Sequence, residues 1–161
     1  MANRTGEDAM ELSDIEAIKQ VKYAYFRLLD LKRFDELGQL LTEDCTAAYE
    51  DGKRRYDSRR GIVDFLTEAL GNQGIVTQHH GHHPEIAFDG PGSATGIWYL
   101  VDRVIIASAD LEIGGTAFYD DRYRREDGRW LISHTGYQRV FEEHRVHSTM
   151  AVASYRSRFQ P

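Results

Sequence analysis

Apolar residues recur at helical spacing through Ile15, Ile18, Val21, Tyr25, Leu28 and Leu29, which predicts a helix ending near Leu31. Ser13 and Glu16, in "SDIE", read as a capping box that starts this helix and leaves the first dozen residues as an arm. "FDELGQLL" (34–41) predicts a short second helix, and "EDCTAAYED" (43–51) extended chain after it. A third helix, "RRGIVDFLTEAL" (59–70), has Asp57 or Ser58 as its cap and Gly71 as its stop. Beyond residue 74 the apolar spacing changes to alternation. The strands predicted are "IVTQHHG" (75–81), "PEIAFD" (84–89), "SATGIWYLVDRVIIAS" (93–108), "LEIGGTAFYDDRYRRE" (111–126) and "RWLISHTGYQRVFEE" (129–143). Turn signals separate them: "DGPG" at 89–92, "SAD" at 108–110 and the hairpin pair Asp127-Gly128. Helices first and a meander of long strands afterwards make an α+β domain with a mainly antiparallel sheet.

The strand around residues 94–107 is apolar on both faces. Trp98, Leu100, Val104 and Ile106 share one face with Asp102; Ile97, Tyr99, Val101 and Ile105 share the other. One face lines a core or pocket, and the second needs a helix or another subunit over it, which points to oligomerisation. Asp102 is then a carboxylate in apolar surroundings, costly unless paired or protonated.

Composition narrows the function classes. The chain of 161 residues is read as one domain, 1–161, with its core at about 12–145 and arms at 1–11 and 147–161. A formal charge of −6 gives no electrostatic reason to bind nucleic acid or an anionic membrane. The longest apolar run, "IWYLV" (97–101), is too short to cross a bilayer. Cys45 is the only cysteine and the start of the chain has no apolar signal core, so a soluble cytoplasmic protein is expected. Phosphate-binding glycine loops and nucleophile elbows are absent from the sequence.

The candidate chemistry lies in "TQHHGHHPEI" (77–86), with four of the seven histidines, His79, His80, His82 and His83. Strand alternation puts His79 and His83 on one face and His80 and His82 on the other, so four ligands do not converge on one metal. A single histidine facing a cavity beside a carboxylate is more economical, since the carboxylate fixes the imidazole tautomer and stabilises the imidazolium. Asp30, near the C-terminal end of the first helix, is disfavoured there by the helix dipole and is one such carboxylate; an exposed turn residue is the alternative.

Several stretches together resemble a SnoaL-like member of the NTF2-like superfamily: "IKQVKYAYFRLLDLKRFDELGQLL", "TQHHGHHPEI", "ATGIWYLVD" and "AFYDDRYRREDGRWLISH". The superfamily includes scytalone dehydratase, ketosteroid isomerase, bile-acid 7α-dehydratase and hexachlorocyclohexane dehydrochlorinase. The resemblance implies a cone-shaped α+β barrel, a curved mixed sheet packed on three N-terminal helices. It implies a catalytic set of His79, Asp30, Tyr25 and Asp102, with His79 as base, Asp30 as its partner, Tyr25 polarising a substrate oxygen, and Asp102 as a second acid or hydrogen-bonding group. Arg139 is the nearest match to a late arginine of the bile-acid enzyme. The expected substrate-facing residues are Trp98, Leu100, Phe65, Tyr49, Arg139 and Tyr119 or Phe118. A second catalytic histidine of scytalone dehydratase falls near Trp98 here, which argues against the same substrate. The activity implied is a cofactor-free lyase, foremost a dehydratase, acting on a small hydrophobic cyclic molecule in a homotrimer or homodimer. An isomerase or cyclase, a ligand-binding module and the small subunit of a ring-hydroxylating dioxygenase remain alternatives on the same fold.

Overall fold

The computed structural model describes residues 4–152 and 154–159. Helix α1 spans Arg4–Asp30, α2 Phe34–Gly38 and α3 Arg59–Leu70. The strands are β1 (Leu41–Tyr49), β2 (Arg54–Tyr56), β3 (Ile75–Gly90), β4 (Ser93–Ile106), β5 (Leu111–Glu126) and β6 (Arg129–Val146). They form one six-stranded sheet in the order β2-β1-β6-β5-β4-β3. All pairings are antiparallel except β1 with β6. The sheet stays open, with β2 and β3 as its edges.

Local chemistry explains most of the boundaries. Ser58 caps α3, its hydroxyl accepting the Gly61 N–H at 3.2 Å. The β5–β6 hairpin turns through Asp127 and Gly128 at φ 48° and 78°, as a two-residue primed turn requires. The "PEIAFD" and "IVTQHHG" segments are one strand, interrupted by a bulge between His82 and Glu85. Pro84 is tolerated there because β3 is an edge strand.

Three further expectations need correction. Helix α1 begins at Arg4, so Ser13 lies inside it rather than capping it, and residues 4–11 are helical rather than an arm. Glu7, Ala9, Met10, Glu11 and Leu12 favour helix, and no proline stops it. Helix α2 ends at Gly38, and β1 already begins at Leu41. His83 takes φ 48° beside the bulge, and its ring lies 5.8 Å from that of His82; strict alternation, which would put it on the His79 face, is broken there.

The core lies between the helices and the concave face of the sheet. Ile18, Leu37, Leu41, Ile62, Leu100 and Ile132 are all but inaccessible there. On β4 the Ala94, Trp98, Leu100 and Asp102 face is buried. The opposite face keeps Ile97, Val101, Phe118 and Phe141 exposed at 43%, 41%, 44% and 50%, and none of the helices described covers these four side chains. No helix among the described residues is long and apolar enough to cross a membrane.

Candidate active site

Asp30, the last residue of α1, is held by the start of β3 through three contacts. Its Oδ1 accepts the Thr77 hydroxyl at 2.8 Å, its Oδ2 accepts the His79 backbone N–H at 3.0 Å, and His79 Nδ1 lies 2.6 Å from Oδ1. A carboxylate only accepts, so the proton between them sits on Nδ1 and Nε2 is left as the basic nitrogen. The His79 side chain is 9% exposed. The exposed-turn alternative for Asp30 is therefore not what the fold adopts.

His79 stands directly opposite Asp102 across the β3–β4 pairing. Arg139, from β6, grips Asp102 with two nitrogens, Nη1 to Oδ1 at 2.6 Å and Nη2 to Oδ2 at 2.7 Å. Burial works against the guanidinium charge, but the Asp102 carboxylate outweighs it and raises the Arg139 pKa. Both Asp102 oxygens are thus engaged, which answers the cost of burying that carboxylate.

A cavity of about 190 Å³ joins these groups. His79, Asp102 and Arg139 lie on its wall with Tyr25, Tyr49 and Tyr119. Phe65, Leu100 and Val104 supply apolar surface. The Tyr25 and Tyr49 hydroxyls are 3.1 Å apart. Burial raises the pKa of both, against which the Tyr49 hydrogen bond lowers that of Tyr25, so both remain protonated and able to donate. Burial likewise raises that of Tyr119.

Two expected lining residues lie elsewhere. Trp98 does not border the cavity; its indole is fully buried and donates to the Tyr123 hydroxyl at 2.9 Å. Phe118 points to the outer face, and Tyr119 is the residue that lines the cavity. Among the described residues no three His, Cys, Asp or Glu side chains are grouped as a metal site would need. Wider depressions of about 350 and 550 Å³ adjoin His80 and His134. Those histidines contact Gln78 and Thr46, so neither is paired with a carboxylate as His79 is.

Sequence reasoning missed Lys22, Thr77 and Phe26. Lys22 is fully buried, its Nζ 2.7 Å from Asp121 Oδ2 and 3.5 Å from the centroid of the Tyr119 ring. Burial lowers its pKa, and Asp121 opposes that shift. Asp121 also accepts hydrogen bonds from Tyr123 and Thr135, both at 2.8 Å. The available signal was periodicity: Lys22 continues the stripe of Ile18, Tyr25 and Leu29, and Asp121 alternates in phase with Tyr119 and Tyr123.

Residues 10–136 match the model of the SnoaL-like domain family. A scytalone dehydratase-like protein from Novosphingobium aromaticivorans superposes with a TM-score of 0.79 at 20% identity, covering 84% of this chain and 90% of its own. A type 3 hexachlorocyclohexane dehydrochlorinase from Novosphingobium barchaimii gives 0.79 at 18%, covering 93% and 99%. An NTF2-like protein with a cystatin-like fold, also from N. aromaticivorans, gives 0.71 at 18%, covering 87% and 90%. At these identities the likeness is one of fold, the NTF2-like α+β cone.

Proposed function

The chain belongs to the SnoaL-like domain family, and on that premise we propose that it is a cofactor-independent lyase, foremost a dehydratase, acting on a small hydrophobic cyclic substrate. The observation that carries this reading is the 2.6 Å contact between His79 Nδ1 and Asp30 Oδ1 at the wall of an apolar cavity. In the proposed reaction Nε2 of His79 removes a carbon-bound proton, and the Asp30 carboxylate balances the imidazolium. Tyr25, supported by Tyr49, donates a hydrogen bond to a substrate oxygen as charge builds there. The electron pair of the broken C–H bond forms the new double bond, and the neighbouring C–O bond breaks. The departing hydroxyl takes its proton from the imidazolium and leaves as water, which restores the base. Asp102, with both oxygens on Arg139, acts as a platform for that guanidinium rather than as a second acid. Positioned proton transfer of this kind supplies roughly 10²–10⁴-fold in rate.

The cavity is smaller than the ~300–1,000 Å³ of common ligand pockets, which favours an aromatic-precursor or polyketide-like molecule over a steroid. The same residues run an isomerisation when the substrate has no leaving group. The exposed Ile97, Val101, Phe118 and Phe141 support a homo-oligomer as the functional form, checked by light scattering.

The test is a panel of hydroxylated cyclic compounds analysed by mass spectrometry for loss of water. His79→Ala should abolish turnover with folding intact by circular dichroism, and His80→Ala should leave turnover unchanged. Compounds that bind and leave chemically unaltered would instead support a ligand-binding module. Equal damage from the two substitutions would make the histidine cluster structural.

A further inference from the structure

Gly81 sits between the two histidine pairs and two residues beyond His79, so both face the same side of β3. A Cβ at Gly81 would lie 2.3 Å from Cε2 and 2.9 Å from Cζ of Phe26, distances that real side chains do not tolerate. The missing side chain is therefore the slot into which Phe26 of α1 fits. From that slot the Phe26 ring lies nearly parallel to the His79 imidazole, with centroids 6.3 Å apart and planes 10° apart. Phe26 is 6% exposed and bounded on other sides. Tyr25 and Tyr119 meet it edge-on at 5.9 and 5.7 Å, and Lys22 Nζ lies 4.9 Å from its centroid. A methyl group at position 81 would therefore force this packed ring to move.

Rotation about the ring torsion of histidine is broad, and turning the ring carries Nδ1 away from Asp30, so that contact depends on the imidazole plane being held. The parallel Phe26 ring packed beside the imidazole limits that rotation. We propose that Gly81 and Phe26 are positioning residues for His79: the glycine admits Phe26, and Phe26 holds the imidazole plane so that Nδ1 stays on Asp30 and Nε2 serves the cavity. The inference rests on the reading of His79 as the base. A shift of about 1 Å in such a group costs on the order of 10²-fold in rate.

The test needs no substrate. In the full chain with ¹⁵N-labelled histidine, the Nδ1–H bound to Asp30 should give a low-field proton resonance, assigned by its loss in His79→Ala. Gly81→Ala should broaden that resonance beyond detection while circular dichroism stays native. Phe26→Leu, which keeps Gly81 and most of the apolar volume, should do the same. If Gly81→Ala does not fold, Phe26→Leu alone decides. A native-like resonance in either folded variant overturns the proposal, including one accompanied by a lower melting temperature, since that pattern is packing alone. Failure of every compound in the panel to react would sink the lyase reading and leave this outcome unaffected.

Discussion

Asp30→Asn is the sharpest probe of the site, because all three groups facing Asp30 donate to it. Thr77 Oγ1 and His79 Nδ1 converge on Oδ1, and the His79 backbone N–H reaches Oδ2. Asparagine offers one accepting oxygen and one donating NH₂. With its oxygen toward Nδ1, the NH₂ confronts the His79 backbone N–H and leaves two donors facing each other, worth about 1–3 kcal/mol in a dry site. Asp30 is 26% exposed, so water relieves part of this and the lower end applies, about 1 kcal/mol. In the other orientation the NH₂ faces Nδ1, the imidazole proton moves to Nε2, and the base is lost. Either way the carboxylate that stabilises the imidazolium is gone. The expected pattern is a turnover loss of about 10²–10⁴-fold against a melting-temperature loss of only about 2–4 °C. The assay combines turnover of whichever compound the wild type dehydrates, thermal melts and ring ¹⁵N shifts, which report the tautomer. Turnover within about tenfold of wild type would refute the role given to Asp30, because it falls below the range for positioned proton transfer.

Two further perturbations test the surroundings of the site. Lys22→Met strands the buried Asp121 carboxylate and should cost about 3–5 kcal/mol, whereas Lys22→Met with Asp121→Asn should be milder than the single change; thermal melts that rank them the other way contradict an ion pair at this position. His134 has its pKa lowered by burial and by Arg122, so the folded state binds fewer protons than the unfolded state just below pH 6.5. Stability from this group is present at neutral pH and is lost as pH falls through that window; denaturant titrations near pH 7.5 and 5.5 should show a smaller pH effect in His134→Gln, and an undiminished effect would assign it elsewhere.

Much of the fold was legible because most elements carried a local signal, whereas the short strand β2 and the parallel pairing of β1 with β6 carried none. The third helix had its serine cap, the last hairpin its Asp-Gly turn, and the strands their alternation. Local signals also misled. The serine and glutamate at 13 and 16 imitate a helix start, yet nothing before them stops a helix, and α1 continues back to Arg4. The histidine–carboxylate pair was legible because alternation separated His79 from His80 and His82, Asp30 was out of place at a helix end, and the family resemblance singled out His79 rather than His83. Lys22 was not, since a lysine on an apolar stripe ordinarily extends its charge to water. Its partner Asp121 comes ninety-nine positions later, and no local pattern joins the two. Thr77 and Phe26 were hidden for the same reason: their roles exist only once α1 lies against β3.

The parallel pairing of β1 with β6 has a consequence for how the protein comes into being. β6 comes last in chain order among the six strands, yet it lies in the interior of the sheet, between β1 and β5. Thr46 finds its neighbour His134 only after 88 further residues. Tyr49 and Arg139 ride on these two strands, so the wall of the cavity that they form awaits the arrival of the final hairpin. Helix α1 can meet β3 earlier in synthesis, which lets Asp30 and His79 pair before there is any chamber around them. Without β6, β1 and β5 each lack a partner along one edge, and the non-local pairing that supplies it also completes the pocket.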